Sequence, residues 1–218
     1  TYSQSFFDGK MQNVFFAKDY VNHPNIRQTD QSTVTGSDKV QGSTTKNYFG
    51  YGTGLRYMFF DPLAVKVSYE HSVRLPIARE LLGNGTTIYA NVALKPEKSN
   101  NVNLALFGTW HPAGRHTIYY EANGFLRYVD NYIQTSVIEK EGMMQFVNDP
   151  AVHIKGVEGE IRYDWDGRLQ LMANVSYQDA RDQQKYKEDG KPSATYDNHV
   201  PNRPWLFGNA EASYTFHN

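Results

Sequence analysis

Apolar and polar residues alternate along most of this chain, and a two-residue period predicts β-strands. Leu169, Leu171, Ala173, Val175 and Tyr177 form one face of a run whose other face carries Gln170, Met172, Asn174 and Ser176. Leu63, Val65, Val67 and Tyr69 oppose Ala64, Lys66, Ser68 and Glu70 in the same way. Ile118, Tyr120, Ala122, Leu126 and Tyr128 oppose Thr117, Tyr119, Glu121, Asn123, Phe125 and Arg127. Val157, Ile161, Tyr163 and Trp165 oppose Glu158, Glu160, Arg162 and Asp164, and Leu206, Ala210, Ala212, Tyr214 and Phe216 oppose Asn209, Glu211 and Ser213. Each stripe runs for roughly the 9–11 residues that a tilted strand needs to cross a bilayer. Nine runs of this kind are expected, at about 1–7, 10–19, 48–60, 62–73, 98–110, 116–128, 153–165, 168–180 and 204–216. The first two alternate poorly, because Val14-Phe15-Phe16-Ala17 is apolar on both faces. Tyr132–Glu139 and Met143–Val147 are extended enough to prolong strands.

The connections have a rhythm of their own. Asp8-Gly9, Asp61-Pro62, His111-Pro112-Ala113-Gly114-Arg115 and Asp166-Gly167 carry tight-turn chemistry. Between them lie long polar segments, about Val21–Asn47, Leu75–Pro96, Val129–Val152 and Arg181–Arg203. Short and long connections therefore alternate, as in an up-and-down barrel with tight turns at one end and long loops at the other. A Greek-key sandwich has no reason to keep that order. The fold expected is all-β, an antiparallel up-and-down meander of about nine strands forming an arc of a transmembrane β-barrel. Phe6, Phe7, Phe59, Phe60, Trp110, Trp165 and Trp205 cluster near strand ends, as interfacial girdles do.

Composition agrees with this pattern and closes other routes. The 218 residues hold 16 Tyr, 12 Phe and 3 Trp, yet mean hydropathy is low. No apolar run approaches the ~20 residues of a spanning helix, which excludes a helical membrane protein and leaves a β-barrel open. Lys+Arg (22) and Asp+Glu (23) nearly cancel, so nothing points to nucleic acid. Cysteine is absent, and with it disulfides, thiolate metal sites and cysteine nucleophiles. There is no G-x-S-x-G elbow, P-loop, H-E-x-x-H or G-x-G-x-x-G, so no enzyme and no cofactor are expected. Gly50, Gly52 and Gly54 share one strand face, where missing side chains permit curvature or close approach. His23, His71, His111, His116, His153, His199 and His217 are dispersed, and no metal site is expected from them. Glu158 and Glu160 share a face beside Arg162, and read as wall charges, not a hydrolytic pair.

The most specific residues are Val73-Arg74-Leu75-Pro76-Ile77-Ala78-Arg79-Glu80-Leu81-Leu82-Gly83, followed by Asn91-Val92-Ala93-Leu94-Lys95-Pro96-Glu97-Lys98-Ser99. Ala122-Asn123-Gly124-Phe125, Asp130-Asn131-Tyr132-Ile133, Asn148, Gly156-Val157-Glu158-Gly159-Glu160 and Val200-Pro201-Asn202-Arg203-Pro204-Trp205 come after them in order. In order and spacing, over about residues 60–216, the chain resembles the barrel of TonB-dependent outer-membrane receptors. The resemblance singles out Arg74, Pro76, Glu80, Asn91, Pro96, Glu97, Ser99, Gly156 and Glu158 as family-motif positions. Barrel assembly and rim packing account for these better than ligand contact. Pro96 lacks an N–H and belongs just before a strand, from which Glu97 and Ser99 point to the lumen.

The resemblance implies a barrel of roughly 22 strands around a plug. It further implies a Gram-negative outer-membrane location, contact with lipid, and energy from TonB delivered through the plug. Its function would be active uptake of a small scarce nutrient: siderophore-iron, haem, cobalamin or an oligosaccharide. Residues 1–218 are then expected to be part of one barrel domain, a piece of something longer without its plug and closing strands. Lys66, Glu70, Glu121, Arg127, Glu160, Arg162 and Glu211 would face the lumen. Tyr89, Tyr132, Met143, Met144, Phe146, Tyr186 and Tyr196, in the long loops, are the candidates for ligand contact. Two other readings compete: a passive outer-membrane porin or adhesin, and a soluble all-β carbohydrate-binding or hydrolase module.

Overall fold

A computed structural model describes residues 1–22, 25–29, 39–43, 45–138, 142–187 and 190–216. His23, His217 and most of the Val21–Asn47 connection lie outside the described residues. The strands are β1 (Tyr2–Phe6), β2 (Met11–Asn22), β3 (Asn25–Thr29), β4 (Lys39–Ser43), β5 (Lys46–Phe60) and β6 (Leu63–Arg74). After a short helix α1 (Ala78–Leu82) come β7 (Ile88–Tyr89), β8 (Glu97–Ala113), β9 (His116–Ile138), β10 (Met143–Trp165), β11 (Leu169–Asp182) and β12 (Leu206–Tyr214).

Nine of these form one antiparallel meander in the order β1-β2-β5-β6-β8-β9-β10-β11-β12. β7 adds to β10 in parallel, and β3 pairs β4 in a separate hairpin. The nine expected runs thus match nine neighbouring strands, and the sheet is unclosed, as an arc of a barrel is. Among the described residues, no helix is long and apolar enough to cross a membrane.

Register carries the alternation from strand to strand. Val67 pairs Leu104 on the apolar face, while Ser68 pairs Asn103 and Asn103 pairs Phe125 on the polar one. Gly124 then pairs Val157, and Val157 pairs Tyr177. The apolar face has no cover: Val67, Leu104 and Val157 are 44%, 52% and 59% exposed. A continuous exposed apolar face of this size requires a non-aqueous neighbour. Aromatic residues bound it at both ends. Phe59, Phe60, Trp110 and Tyr214 stand at the tight-turn end, and Phe49, Tyr128, Tyr177 and Trp205 at the other.

Two expectations about the connections need correction. Val129–Val152 is not a long loop: β9 and β10 run on as a paired extension to Ile138 and Met143, and the extended stretches at 132–139 and 143–147 do prolong the strands over the described residues. Beyond the girdle both faces of a hairpin meet polar surroundings, so alternation stops marking the strand. The His111–Arg115 turn is shorter than expected, because the ladder continues past a register shift to Ala113 and His116. The extension carries the small core of the molecule: Val129, Tyr132, Val152, Ala180 and Val200, with Val152 fully buried. Val200 arrives from the β11–β12 connection, whose N–H at that residue donates to Ala180 O at 2.9 Å.

On the polar face, aromatic rings lie over glycines. A Cβ at Gly52 would stand 2.5 Å from Phe16 Cζ, and one at Gly156 2.4 Å from both Phe125 Cζ and Tyr177 O. Phe16, apolar on the face expected to be wet, is accommodated by this glycine. Lys18 of β2, opposite Gly50, reaches over β5 to Glu70 of β6, with Nζ and Oε1 2.9 Å apart. Gly156→Ala in the intact protein is therefore expected to cost about 1–3 kcal/mol by overpacking. Gly159→Ala, whose Cβ would meet nothing closer than 3.8 Å, is expected to be near neutral. Denaturant unfolding of the two variants compares them, and equal losses would contradict the ring-over-glycine packing.

Candidate functional site

At the loop end of the polar face, β6, β8 and β9 hold a cavity of about 640 Å³. Strand parity builds its wall. Glu70 pairs Asn101, which pairs Arg127; Ser72 pairs Ser99, which pairs Val129; Arg74 pairs Glu97. Small polar groups line the strands: the Ser72 and Ser99 hydroxyls are 2.9 Å apart, and Asn101 Nδ2 donates to Ser99 Oγ at 3.0 Å. Three guanidiniums (Arg74, Arg127, Arg203) face three carboxylates (Glu70, Glu80, Glu97), so formal charge balances.

Arg74 organises the rim. Its Nε and Nη2 donate to Glu97 at 2.6 and 2.9 Å, and Nη1 donates to both Glu80 oxygens at 2.9 and 3.0 Å. The fork geometry of guanidinium suits such paired recognition. Glu80 also accepts from the Ile77 N–H at 2.9 Å, holding the start of α1. Glu97 accepts from the Ile133 N–H at 2.6 Å, which ties β8 to the β9 extension. Pro76 precedes α1 and Pro96 immediately precedes β8, where a residue without an N–H costs the ladder nothing. One arginine thus joins a strand end, a helix start and a neighbouring strand.

Asparagines lock the folded-over 75–96 segment. Asn91 Nδ2 donates to Phe146 O at 2.8 Å. Asn148 accepts from the Lys95 N–H at 2.8 Å and donates to Lys95 O and Asn131 O at 2.9 and 2.8 Å. Asn131 has a positive φ of 55° and interrupts the ladder between Asp130 and Tyr132. That kink leaves both Val129 and Tyr132 in the core cluster.

A family model described as TonB dependent receptor-like, beta-barrel, matches residues 13–218. The chain belongs to this family. Among solved structures, the TonB-dependent receptor fold is seen in the copper transporter OprC at 19% identity and TM-score 0.64, over 95% of this chain and 30% of that one. The FrpB iron transporter from Neisseria meningitidis is similar at 15% identity and TM-score 0.59, over 96% and 29%. A double mutant of the Serratia marcescens hemophore receptor HasR, in complex with its hemophore HasA and heme, matches at 15% and 0.58, over 95% and 38%. The chain therefore spans about a third of the length of these structures. No curated protein matches it by sequence.

In this TonB-dependent barrel wall, Arg74, Glu80, Glu97 and Ser99 lie together around the cavity. Gly156 lies under Phe125, and Glu158 accepts from Ser176 Oγ at 3.2 Å. Lys66, Glu70, Glu121, Arg127, Glu160, Arg162 and Glu211 share the polar face by register. Glu160 pairs with Arg162, whose guanidinium lies 5.1 Å over the Tyr119 ring, and the Tyr119 hydroxyl donates to Glu121. This second cluster sits at the tight-turn end, far along the strands from the cavity.

The aromatic candidates are dispersed, and most are not in loops. Tyr132 is a mostly buried residue of β9 that lines the cavity, with the Arg203 guanidinium 5.3 Å over its ring, so it belongs to the cavity wall and not to a loop. Met143, Met144 and Phe146 belong to β10, and Tyr89 to β7. Only Tyr186 and Tyr196 lie in irregular chain, with Lys185 Nζ 5.7 Å over the Tyr196 ring. Sequence reading passed over Ser72, although it continues the Lys66, Ser68, Glu70 stripe and was legible by parity, and it met Arg203 only as part of the Val200–Trp205 motif. It also passed over the buried pair Asp149 and Asp182, for which no spacing rule exists.

Arg74→Ala would leave Glu80 and Glu97 side by side and mostly buried without their cation. The expected loss is roughly 1–3 kcal/mol, between the exposed and buried limits because Arg74 itself is half exposed. Arg74→Lys should recover little of it, since an ammonium cannot serve both carboxylates through paired bonds. Amide exchange across residues 75–96 in the intact protein reads the effect, and unchanged protection in Arg74→Ala would refute it.

Proposed function

We propose that this chain is wall and extracellular rim of an outer-membrane receptor that takes up a scarce metal, haem or siderophore cargo using energy from TonB. The carrying observation is the nine-strand sheet itself: one continuous apolar face, one polar face of mixed sign, and a folded-over rim of polar cradle residues at one end. In a TonB-dependent receptor the apolar face meets lipid, the polar face meets water and the plug, and the rim faces the medium. The parts of β9 and β10 that cross the bilayer are then about 116–128 and 153–165, with the rest of the hairpin outside.

The rim chemistry supports capture by contact and not by reaction. The wall offers hydroxyls, amides and guanidiniums in balance, as suits reversible recognition of a polar or chelated cargo. The copper, iron and haem proteins that share the fold favour a metal or metal-chelate cargo over cobalamin or sugar. Neither an enzyme nor a passive porin is needed to explain the arrangement. Exposed Tyr89, Met144, Tyr186 and Tyr196 are the side chains placed to meet cargo at the rim.

Uptake by cells producing the intact protein tests this reading. Labelled ferric siderophore, haem and copper should be compared with and without a functional TonB; accumulation that needs TonB for one cargo is expected. Equal permeation of unrelated small solutes without TonB would show a porin instead. Lipid contact is tested separately: Val67→Arg and Leu171→Arg are each expected to cost about 2–4 kcal/mol near mid-bilayer. Ser68→Arg, on the polar face, should be tolerated, and equal losses at positions 67 and 68 would reverse the assignment of faces.

A further inference from the structure

The cavity at the rim balances in formal charge but not in pairing. All of its carboxylates are engaged: Glu80 and Glu97 on Arg74, and Glu70 on Lys18 of β2, which stands outside the lining. Arg127 of β9 and Arg203 of the β11–β12 connection are the remainder. Both line the cavity and both are exposed. Among the described residues, no ion pair includes either.

Each of the two guanidiniums lies on an aromatic ring, Arg127 5.0 Å over Phe125 and Arg203 5.3 Å over Tyr132. Both rings are buried and fixed. Phe125 lies over Gly156, and Tyr132 packs in the core cluster with Val129 and Val152. A ring beneath a guanidinium attracts its charge and orients its plane. It accepts none of the in-plane N–H bonds, so the fork stays available to an oxyanion. A chain of contacts ties the two together. Gly156, under Phe125, pairs Gln178 in register, and Gln178 Nε2 donates to Pro204 O, next to Arg203, at 2.9 Å. Ser72, Ser99, Asn101 and Asn103 supply neutral polar groups on the β6–β8 side of the same cavity.

We propose that Arg127 and Arg203 bind the carboxylates of an anionic cargo, a metal ion wrapped in a polycarboxylate chelator. A guanidinium fork matches the two oxygens of a carboxylate, and two unpaired forks match a ligand with two such groups. The volume of about 640 Å³ lies within the roughly 300–1,000 Å³ of small-ligand sites. A bare metal cation would be repelled by the same pair, so the cation must arrive already enclosed in negative charge. That the anion is cargo rests on the uptake reading; its binding needs neither TonB nor transport.

The test is equilibrium binding to the intact receptor in detergent, read by quenching of tryptophan fluorescence. Ferric citrate is the polycarboxylate probe, and ferrichrome, a neutral hydroxamate chelate of the same metal, is its control. The wild type should bind ferric citrate more tightly than ferrichrome. Arg127→Gln and Arg203→Gln should each weaken ferric citrate about tenfold or more, the loss of one charge-assisted pair, with the thermal midpoint unchanged. Arg127→Lys and Arg203→Lys, which keep the charge but lose the fork, should recover little of that affinity. Arg162→Gln removes a cation of the polar face at the tight-turn end, and should leave ferric citrate binding as it is in the wild type. Equal wild-type affinity for the two chelates would overturn the proposal, as would glutamine variants that bind ferric citrate normally or full recovery by lysine. Glutamine variants that lower the thermal midpoint alone would also overturn it, since a carboxylate of the plug would then be the partner. Ferric citrate binding that needs both arginines, without TonB-dependent import, would leave the site standing and remove the uptake reading.

Discussion

Everything in this molecule depends on keeping strand parity across an unbroken ladder. A slip of one residue anywhere would send every following side chain to the opposite face. The register holds from Gln12 opposite Arg56 to Met172 opposite Glu211. The two shifts within the meander, at Met58/Phe60 and Trp110/Ala113, fall beside the tight turns. An irregularity there re-aims a turn without changing which residues face which side. Glycine serves the same constraint on the polar face, where Phe16 and Phe125 would otherwise crowd a neighbouring strand. They lie flat over Gly52 and Gly156, so bulky rings are fitted without bending the ladder.

Beyond the aromatic girdle that discipline ends, and side-chain hydrogen bonds take over from alternation. The β9–β10 hairpin stands clear of the rest of the sheet, with backbone groups that β8 and β11 no longer pair. The 75–96 segment supplies them: Met144 N–H donates to Thr87 O at 2.9 Å, and the side chains of Asn91 and Asn148 bond the chain on either side. Arg74 anchors the segment where it leaves β6, and Glu97 anchors it where β8 begins. The rim is thus a folded structure, held at both ends by one guanidinium.

How far this was legible in the sequence follows from the same boundary. Where lipid-type and water-type faces alternate, the period of two is strong, and all nine strands of the meander were readable to within a few residues at most ends. Where both faces are polar, Gln134, Ser136, Gln145 and Asn148 carry no period, and the outer part of the hairpin reads only as a polar connection holding two extended stretches, Tyr132–Glu139 and Met143–Val147. The five-residue α1 and two-residue β7 are too short for any periodicity. Arg74, Glu80 and Glu97 were marked by family resemblance, but their meeting is a product of the β6–β8 register, which no local pattern contains. Tyr132 reads as a loop residue but lies in β9: the positive φ at Asn131 turns it into the core beside the cavity, and a single kink is invisible to pattern reading.

The two acidic groups of the rim show how different the consequences of one buried charge can be. Glu80 and Glu97 are nearly as buried as Asp149 and Asp182, yet a fork of five donors stands between them and satisfies both. No guanidinium pairs with Asp149, whose Oδ2 accepts from the Gln134 amide at 3.1 Å. Arg74 closes the first junction from within the chain, where β6 ends and β8 begins, and below it the parity of the ladder orders the sheet without such a junction.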